Sequence, residues 1–506
     1  MLFIRRSATL AVLVVLACTV AMLGAVPAAP RPAAAAARTG SVNPTAGSPA
    51  ASLPSAFLPS ALLPSTALPG ASRTIGRPRV NLPTRPGSVF SYPNRGRKKQ
   101  VTIRKRVLNT IKSTWGGPRG THGAALPTNG RIRIATWTFD DWAIARSLYW
   151  AHKRGVSVQV LAAKGPNKRH KPWRWLRKRL PHTRYLPGYP ETASKWSFAR
   201  HCNGSCRGRG GTHHSKYFLF TNVGASHVRS ITMQTSMNLT RMGFEGQWNH
   251  ATTTWRYKVY RAFSRMFAES RRDRVSANQY RRFMSGSVHS IFFPRPATTA
   301  RYDPIMRALR YVHCKNTLAG GDGNHRTRIR IIQYAMYNDR GVWIAKRLKR
   351  LWNAGCNVKM IYAVTSRPVL RILRSRAGRG PIPMRQSVIR NAYGQIVKYN
   401  HSKWMTISGH WGSSRRAYAV IAGSSNWGNL AFSSDEQIQQ IRSRAHTRSF
   451  LTAFKKTWKQ RTSRRPGSSR VYSFGRVMPG ATDSAGELIP EEPVFGEGIY
   501  KYLPED

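Results

Sequence analysis

The chain runs to 506 residues and carries 84 Lys and Arg against 18 Asp and Glu, a formal net charge of +66. With 41% hydrophobic residues and 15 Trp it has enough apolar surface for a packed core, which excludes a disordered basic tail and fits one large or two medium domains. Seven of the acids, Asp483 to Asp506, lie in the last 36 residues, so a centre built from several carboxylates, such as a two-metal nuclease site, has few to draw on, and the expected partner is a polyanion: nucleic acid, anionic lipid headgroups or a phosphate-rich wall polymer.

In chain order, Arg5 and Arg6 precede an apolar run from Ala8 to Val26 and a small-residue cleavage site at Val26-Pro27-Ala28, which predicts a signal peptide over 1–28 and a secreted protein; an uncleaved anchor is the alternative. Residues 29–96, rich in Ala, Pro and Ser, read as a flexible linker. Globular sequence is expected from about 97. Arg131 to Ala135 alternates as a strand, Asp140 opens a helix with Ile144, Leu148 and Ala151 on one face, Gly155 stops it, and Val156 to Leu161 is the next strand. His170 to Arg179 mixes aromatics with cations and reads as a basic surface helix with buried Trp, the sharper alternative being a site for bases or a lipid interface. Tyr260, Phe263 and Phe267 mark a later core-facing helix.

The same order then recurs. Arg328 to Ile332 is a strand, Asp339 precedes a helix with Ile344, Leu348, Leu351 and Trp352 inward, Gly355 stops it, Val358 to Ala363 is a strand, and Phe450, Phe454 and Trp458 mark a closing helix. Strand, helix and strand with short connections imply parallel βαβ units, hence an α/β fold of two related halves, 97–290 and 291–470, followed by an acidic tail over 471–506.

Four cysteines follow the signal segment: Cys202, Cys206, Cys314 and Cys356. An even count in an exported chain favours disulfides; of the three connectivities, Cys202–Cys206 with Cys314–Cys356 is the expected one. A zinc site from Cys202, Cys206, His213 and His214 is the alternative, against which stand irregular spacing and an oxidising compartment.

The repeat extends into segments that carry chemistry. His214-Ser215-Lys216 opens an apolar strand in the first half and His401-Ser402-Lys403 opens one in the second. Residues two apart on a strand share a face, so each His and its Lys point into one space, whereas Ser215 and Ser402 point away. Ser236-Met237-Asn238 begins 22 residues after His214, and Ser424-Ser425-Asn426 begins 23 after His401; a third His-x-Lys, His313 to Lys315, has neither the apolar strand nor the distant Asn.

This duplicated pattern resembles the phospholipase D superfamily over roughly residues 97–470, in which His-x-Lys, an Asp and a Gly-Ser-x-Asn turn occur once in each half. Gly423 to Asn426 matches that turn, and Thr235 to Asn238 matches it with Thr for Gly. The family Asp falls on Thr221 and Ser408, as in branches such as the tyrosyl-DNA phosphodiesterases that lack it. The spacing between His and Asn implies an extended hairpin in each half. A Glu often follows the Asn by about eleven residues in the family; Glu436 lies ten after Asn426, while the first half offers Asn249 and His250.

The resemblance implies two pseudo-two-fold-related α/β halves, each a mixed sheet flanked by helices, with one active site between them. It also implies a secreted phosphodiesterase working through a phosphohistidine without cofactor or metal, most naturally on phospholipid headgroups at a membrane surface. A nuclease is the alternative favoured by the charge, and a non-catalytic polyanion binder is a further one. On this reading His214 is the nucleophile and His401 the acid/base, with the reverse open; Lys216 and Lys403 supply positive charge, Asn238 and Asn426 donate to phosphate oxygens, and Ser236 and Ser424 join the substrate-binding set. Glu436 either orients a histidine or is a solvated helix residue. No obligate protein partner is implied.

Overall fold

Alternating apolar residues at Ile132 and Ile134, and again at Ile329 and Ile331, bury one face of a strand in each half, and the helix that follows each strand covers that face. A computed structural model describes residues 85–116, 130–180, 197–295, 299–390 and 396–460, together with the backbone strand Ser463–Arg464. The segments read as signal peptide and acidic tail, and the expected linker up to residue 84, lie outside the described residues.

The first half contributes β1 (Gly87–Ser91), β2 (Arg131–Thr136), β3 (Phe139–Asp140), β4 (Ser157–Ala163), β5 (Phe198–Cys202), β6 (Tyr217–Phe220), β7 (Ile231–Thr235), β8 (Leu239–Thr240) and β9 (Gln247–Thr254). Its main sheet has the order β1-β9-β7-β6-β2-β4-β5, with β2, β4 and β5 parallel and the other pairs antiparallel. The second half contributes β10 (Arg281–Ser285), β11 (Val288–Phe292), β12 (Val312–His313), β13 (Arg328–Met336), β14 (Asn357–Thr365), β15 (Met384–Arg390), β16 (Ile396–Asn400), β17 (Lys403–Trp411), β18 (Ser414–Gly423), β19 (Gln437–Arg442) and β20 (Ser463–Arg464). Its order, β10-β11-β19-β18-β17-β13-β14-β15, repeats the first from β9 to β5, again with the last three strands parallel.

Helices Trp142–Lys153 and Tyr257–Ser270 flank the first sheet, and Asn338–Asn353 and Arg444–Trp458 occupy the matching positions on the second. Tyr260, Phe263 and Phe267, like Phe450 and Phe454, are buried. The fold is therefore the duplicated mixed α/β architecture expected from the sequence. The segment His170–Arg179 forms the helix Lys171–Arg179 with Trp173 fully buried, so the structural reading of that stretch holds.

Several boundaries differ from expectation. Strand β1 falls within the stretch read as linker, because Gly87 to Ser91 pair with the edge of β9. The division at 290/291 falls inside β11, since Val288 to Phe292 pair with β19 and so already belong to the second sheet. Asp140 pairs with Thr240, which leaves Asp141 to cap the helix by accepting from the Ile144 N–H at 2.6 Å. Asp339 lies within the first turn of its helix. An extended hairpin forms in the second half, where β17 and β18 turn at Gly412; in the first half β6 and β7 are short and a loop joins them.

The cysteines pair as Cys202–Cys206 and Cys314–Cys356, with Cα separations of 5.0 and 4.5 Å. The first bond uses both thiols that the zinc alternative required.

Candidate active site

Each His-x-Lys segment is held by strand pairing to the opposite half. Asn400 lies beside Trp248 in a parallel pairing, and the His401 N–H donates to the Trp248 carbonyl at 3.0 Å, which brings His401 next to Asn249. In the first half His213 bridges Asp435 in parallel, and the His214 N–H donates to the Asp435 carbonyl at 3.0 Å, which brings His214 next to Glu436. Gly211 permits the second approach. Its φ is +73°, and a Cβ there would sit 2.7 Å from Ser433 and Ser434 backbone atoms.

These crossed pairings set the histidine tautomers. His214 Nδ1 lies 2.8 Å from Glu436 Oε1, and Glu436 Oε2 accepts from the Ser424 hydroxyl. Glu436 is fully buried. Burial alone would raise its pKa, but His214, Lys216 and the hydrogen bonds outweigh that and hold it below the usual carboxylate range. An ionised acceptor on Nδ1 puts the proton there and leaves the Nε2 lone pair of His214 available; that atom is buried and, among the described residues, makes no hydrogen bond.

In the other half His401 Nδ1 lies 3.2 Å from Asn249 Oδ1, which also accepts from the Ser236 hydroxyl at 2.8 Å. The Asn249 amide nitrogen donates to the carbonyl of Gly243 at 3.0 Å, so its oxygen is fixed toward the histidine. Glu436 and Asn249 are therefore equivalent by position and different in charge. Burial, opposed by Glu436, lowers the His214 pKa to about 4, while burial followed by Lys403 and Lys216 holds His401 well below its ordinary value. Both rings are neutral at pH 7.

Lys216 donates to the His214 carbonyl at 3.0 Å and Lys403 to the His401 carbonyl at 2.9 Å. Lys403 also acts electrostatically on His214, and Lys216 on His401, so the four side chains share one field. Trp137 stands edge-on to the His214 ring at 5.6 Å and Tyr334 lies 4.7 Å from the His401 ring, two equivalent walls. Asn238 completes the set in the first half. It has no exposure, and among the described residues neither its amide oxygen nor its nitrogen makes a hydrogen bond. Its amide nitrogen is of the kind that donates to a phosphodiester oxygen. Asn426 sits on a turn held by Arg340, whose guanidinium donates to the Asn426 carbonyl at 2.7 Å and to Asp303 at 2.8 Å, with both charged groups fully buried.

The structure thus brings His214, Lys216, Asn238, His401, Lys403, Asn426 and Glu436 to one region, and Glu436 is buried against His214 instead of lying on a solvated helix. Ser236 and Ser424 depart from expectation. Their hydroxyls are fully buried and engaged with Asn249 and with Glu436 and Gln437, so they brace the groups behind the histidines. His213 of the zinc alternative binds Asp435 at 3.2 Å. Of the family Asp positions, Thr221 follows the end of β6 and accepts from the Arg131 N–H at 2.8 Å, and Ser408, within β17, donates to the Gly320 carbonyl at 2.7 Å.

Sequence reasoning left Asn249 as one of two candidates and missed Gln437, which accepts from the Lys216 N–H at 3.0 Å and donates to the Lys216 carbonyl at 2.9 Å. The signal for Asn249 was its spacing of eleven residues from Asn238; nothing in the sequence announces Gln437.

Two α/β halves sharing one paired His-Lys-Asn centre define a phosphodiester-handling protein of duplicated type. The family model described as "Cardiolipin synthase, PLD-like domain" matches residues 127–271 and 324–458, and the chain belongs to this phospholipase D-like family. A search of curated protein sequences finds no match. Among solved structures, phosphatidylserine synthase from Haemophilus influenzae Rd KW20 is similar at 12% identity, covering 74% of this chain and 86% of its own, with a TM-score of 0.48. Polyphosphate kinase from Porphyromonas gingivalis is similar at 12% identity over 76% of this chain, with a TM-score of 0.48; the match spans 53% of the kinase. The phospholipase D family member Nuc from Salmonella typhimurium covers 36% of this chain and 99% of its own at 19% identity, with a TM-score of 0.24.

Proposed function

We propose that this protein hydrolyses phosphodiester bonds through a phosphohistidine formed on His214. The observation that carries the reading is the His214 ring, neutral, with Nδ1 held by ionised Glu436 and Nε2 unengaged among the described residues. His214 Nε2 attacks phosphorus while the leaving alkoxide takes a proton from His401 Nε2. Water then gives a proton to His401 and attacks phosphorus, which breaks the P–N bond and restores His214. His401 must be protonated to act first as an acid. Burial and its lysine neighbours oppose that, and a bound phosphate anion offsets the lysines, so substrate binding raises its pKa toward the working range. Lys216, Lys403, Asn238 and Asn426 stabilise the nonbridging oxygens, a task that needs no metal.

The substrate is a phosphodiester, with a phospholipid headgroup at a membrane surface the leading reading. Nucleic acid is the second, favoured by 80 basic against 11 acidic residues over 29–470. We also assign the protein to an extracellular location, on the strength of the N-terminal apolar segment and the two disulfides. Among the described residues no helix is long and apolar enough to cross a membrane.

The decisive experiment offers the purified protein phospholipid vesicles and plasmid DNA side by side with chelator present. Release of headgroup unaffected by chelator is expected. Cleavage of DNA alone overturns the lipid reading, and activity that stops with chelator overturns the metal-free scheme.

A further inference from the structure

The strands that carry the catalytic candidates at one end carry a different cluster at the other. Gln333 of β13 pairs with Lys403, while Arg328 pairs with Ser408, five residues back along the same strand or about 16 Å at the usual rise. Around that far end a cavity of about 510 Å³ is lined by Arg328, Arg330, Lys359, Arg448 and Lys455 beside Phe454 and Trp458. A second cavity of about 680 Å³ adjoins it through Asn357 and Lys359 and adds Lys315, Arg326 and Arg379, with Asp322 as its one acid. Together they form a groove with eight cations and a single carboxylate.

We propose that this groove is a binding site for the phosphate backbone of a nucleic-acid strand, separate from the catalytic centre.

Three observations carry it. First, none of the five cations of the smaller cavity has a carboxylate within ion-pair distance among the described residues. Second, the cluster repels itself: burial and then Arg328 lower Arg330 to about 9, and burial with Arg330, Arg385 and Arg328 lowers Lys359. Cations packed this way gain most from an anion that spans several of them. Third, the ordered framework is built to hold them. Arg330 donates to the Asn357 carbonyl at 2.6 Å and to its side-chain oxygen at 3.0 Å, and Lys359 lies over the Trp458 ring at 5.5 Å.

A chain-like polyanion suits two cavities in line. A lipid surface suits them less, because membrane docking draws on exposed apolar anchors, and the exposed large hydrophobics, such as Trp142, Trp150, Trp255 and Met284, are not in the groove. The proposal does not depend on which phosphodiester the histidines cut.

The test is fluorescence anisotropy of a dye-labelled oligothymidylate of about twenty nucleotides over a salt series, using the full chain. Lys359→Gln with Arg448→Gln and Lys455→Gln should weaken binding on the order of tenfold or more near ~0.1 M salt and flatten the log–log salt slope by about 2, at roughly 0.7 per phosphate contact. The matched control removes Lys258, Arg261 and Arg265, three exposed cations on the equivalent helix of the first half, and should change little. Equal losses in both triple variants, or no loss in the groove variant, overturn the proposal. Loss of binding to phosphatidylglycerol vesicles with oligothymidylate binding retained overturns the choice of ligand. Because the readout is binding, failure here is distinct from failure of the catalytic reading.

Discussion

The segment ahead of His214 lies alongside Ser434 to Glu436, and the segment ahead of His401 lies alongside Gln247 to Asn249, so each half supplies the group that holds the other half's histidine. The backbone arrangement is the same in both. Only the holder differs: a carboxylate behind His214, an amide behind His401. A charge-assisted hydrogen bond is roughly twice as strong as a neutral one, and in the proposed mechanism the carboxylate would also stabilise the positive ring formed when Nε2 bonds to phosphorus. An amide fixes the other ring's orientation without pinning its charge, which suits a group that must lose and regain a proton in one turnover. Duplication built two equivalent positions, and on the proposed mechanism one change of side chain would give them different work.

The largest test of that division is removal of each ring. His214→Ala should abolish turnover, by at least about 10⁴-fold, and leave no labelled enzyme after reaction with a substrate carrying radioactive phosphorus. His401→Ala should be equally inactive on an alkyl diester, yet with a p-nitrophenyl leaving group, which departs unprotonated, it should accumulate label on His214. Label in the His214 variant, or substantial activity in both, would sink the assignment.

Next in size come the holders. Glu436→Gln should lower kcat on the order of 10²-fold, because the ring keeps its tautomer and loses the stabilising charge. Asn249→Asp makes the second half resemble the first. A carboxylate beside His401 raises its pKa, so the decline of kcat at alkaline pH should move up by about one pH unit. A rate profile identical to the parent in Asn249→Asp would show that Asn249 is not coupled to the proton transfer.

The sequence made one part of this legible and hid another. Hydrophobic alternation and the helix stops at Gly155 and Gly355 were local signals, so the two sheets could be read from them. His214, Lys216, His401 and Lys403 repeat at short spacing, so the paired centre could be read as well. The holders could be read only as candidates: motif spacing offered Glu436, and Asn249 beside His250, but not which histidine each meets, because Glu436 reaches His214 over 222 residues and Asn249 reaches His401 over 152, through strand pairings that no single segment encodes. Ser236 and Ser424 show the same limit from the other side. Their place in the motif suggested contact with substrate, whereas their hydroxyls turn inward to Asn249 and Glu436.

The smallest expected effect concerns His250, which follows Asn249 as Gln437 follows Glu436. The two residues use their backbone alike, each N–H donating to the serine of its own half, His250 to Ser236 at 3.2 Å and Gln437 to Ser424 at 3.1 Å. Their side chains differ. Gln437 grips the backbone of Lys216, while the buried His250 ring makes no hydrogen bond among the described residues and is pushed down to about 3 by burial and then by Lys403. In the unfolded chain the same ring takes a proton near 6.5, so the unfolded state binds the extra proton and stability falls as the pH drops from 6.5 toward 3, by about 1.4 kcal/mol per unit for this one group. His250→Gln copies the other half and removes that proton. Denaturant midpoints measured from pH 7 to pH 4.5 should therefore decline less steeply in the variant than in the parent, with little difference at pH 7. The buried His214 and His401, like His152 and His201, are also held below the ordinary value and together contribute to the slope that remains. Parallel declines would mean that His250 is already charged in the folded protein, and the two halves would then differ in a second buried charge as well as in the holder.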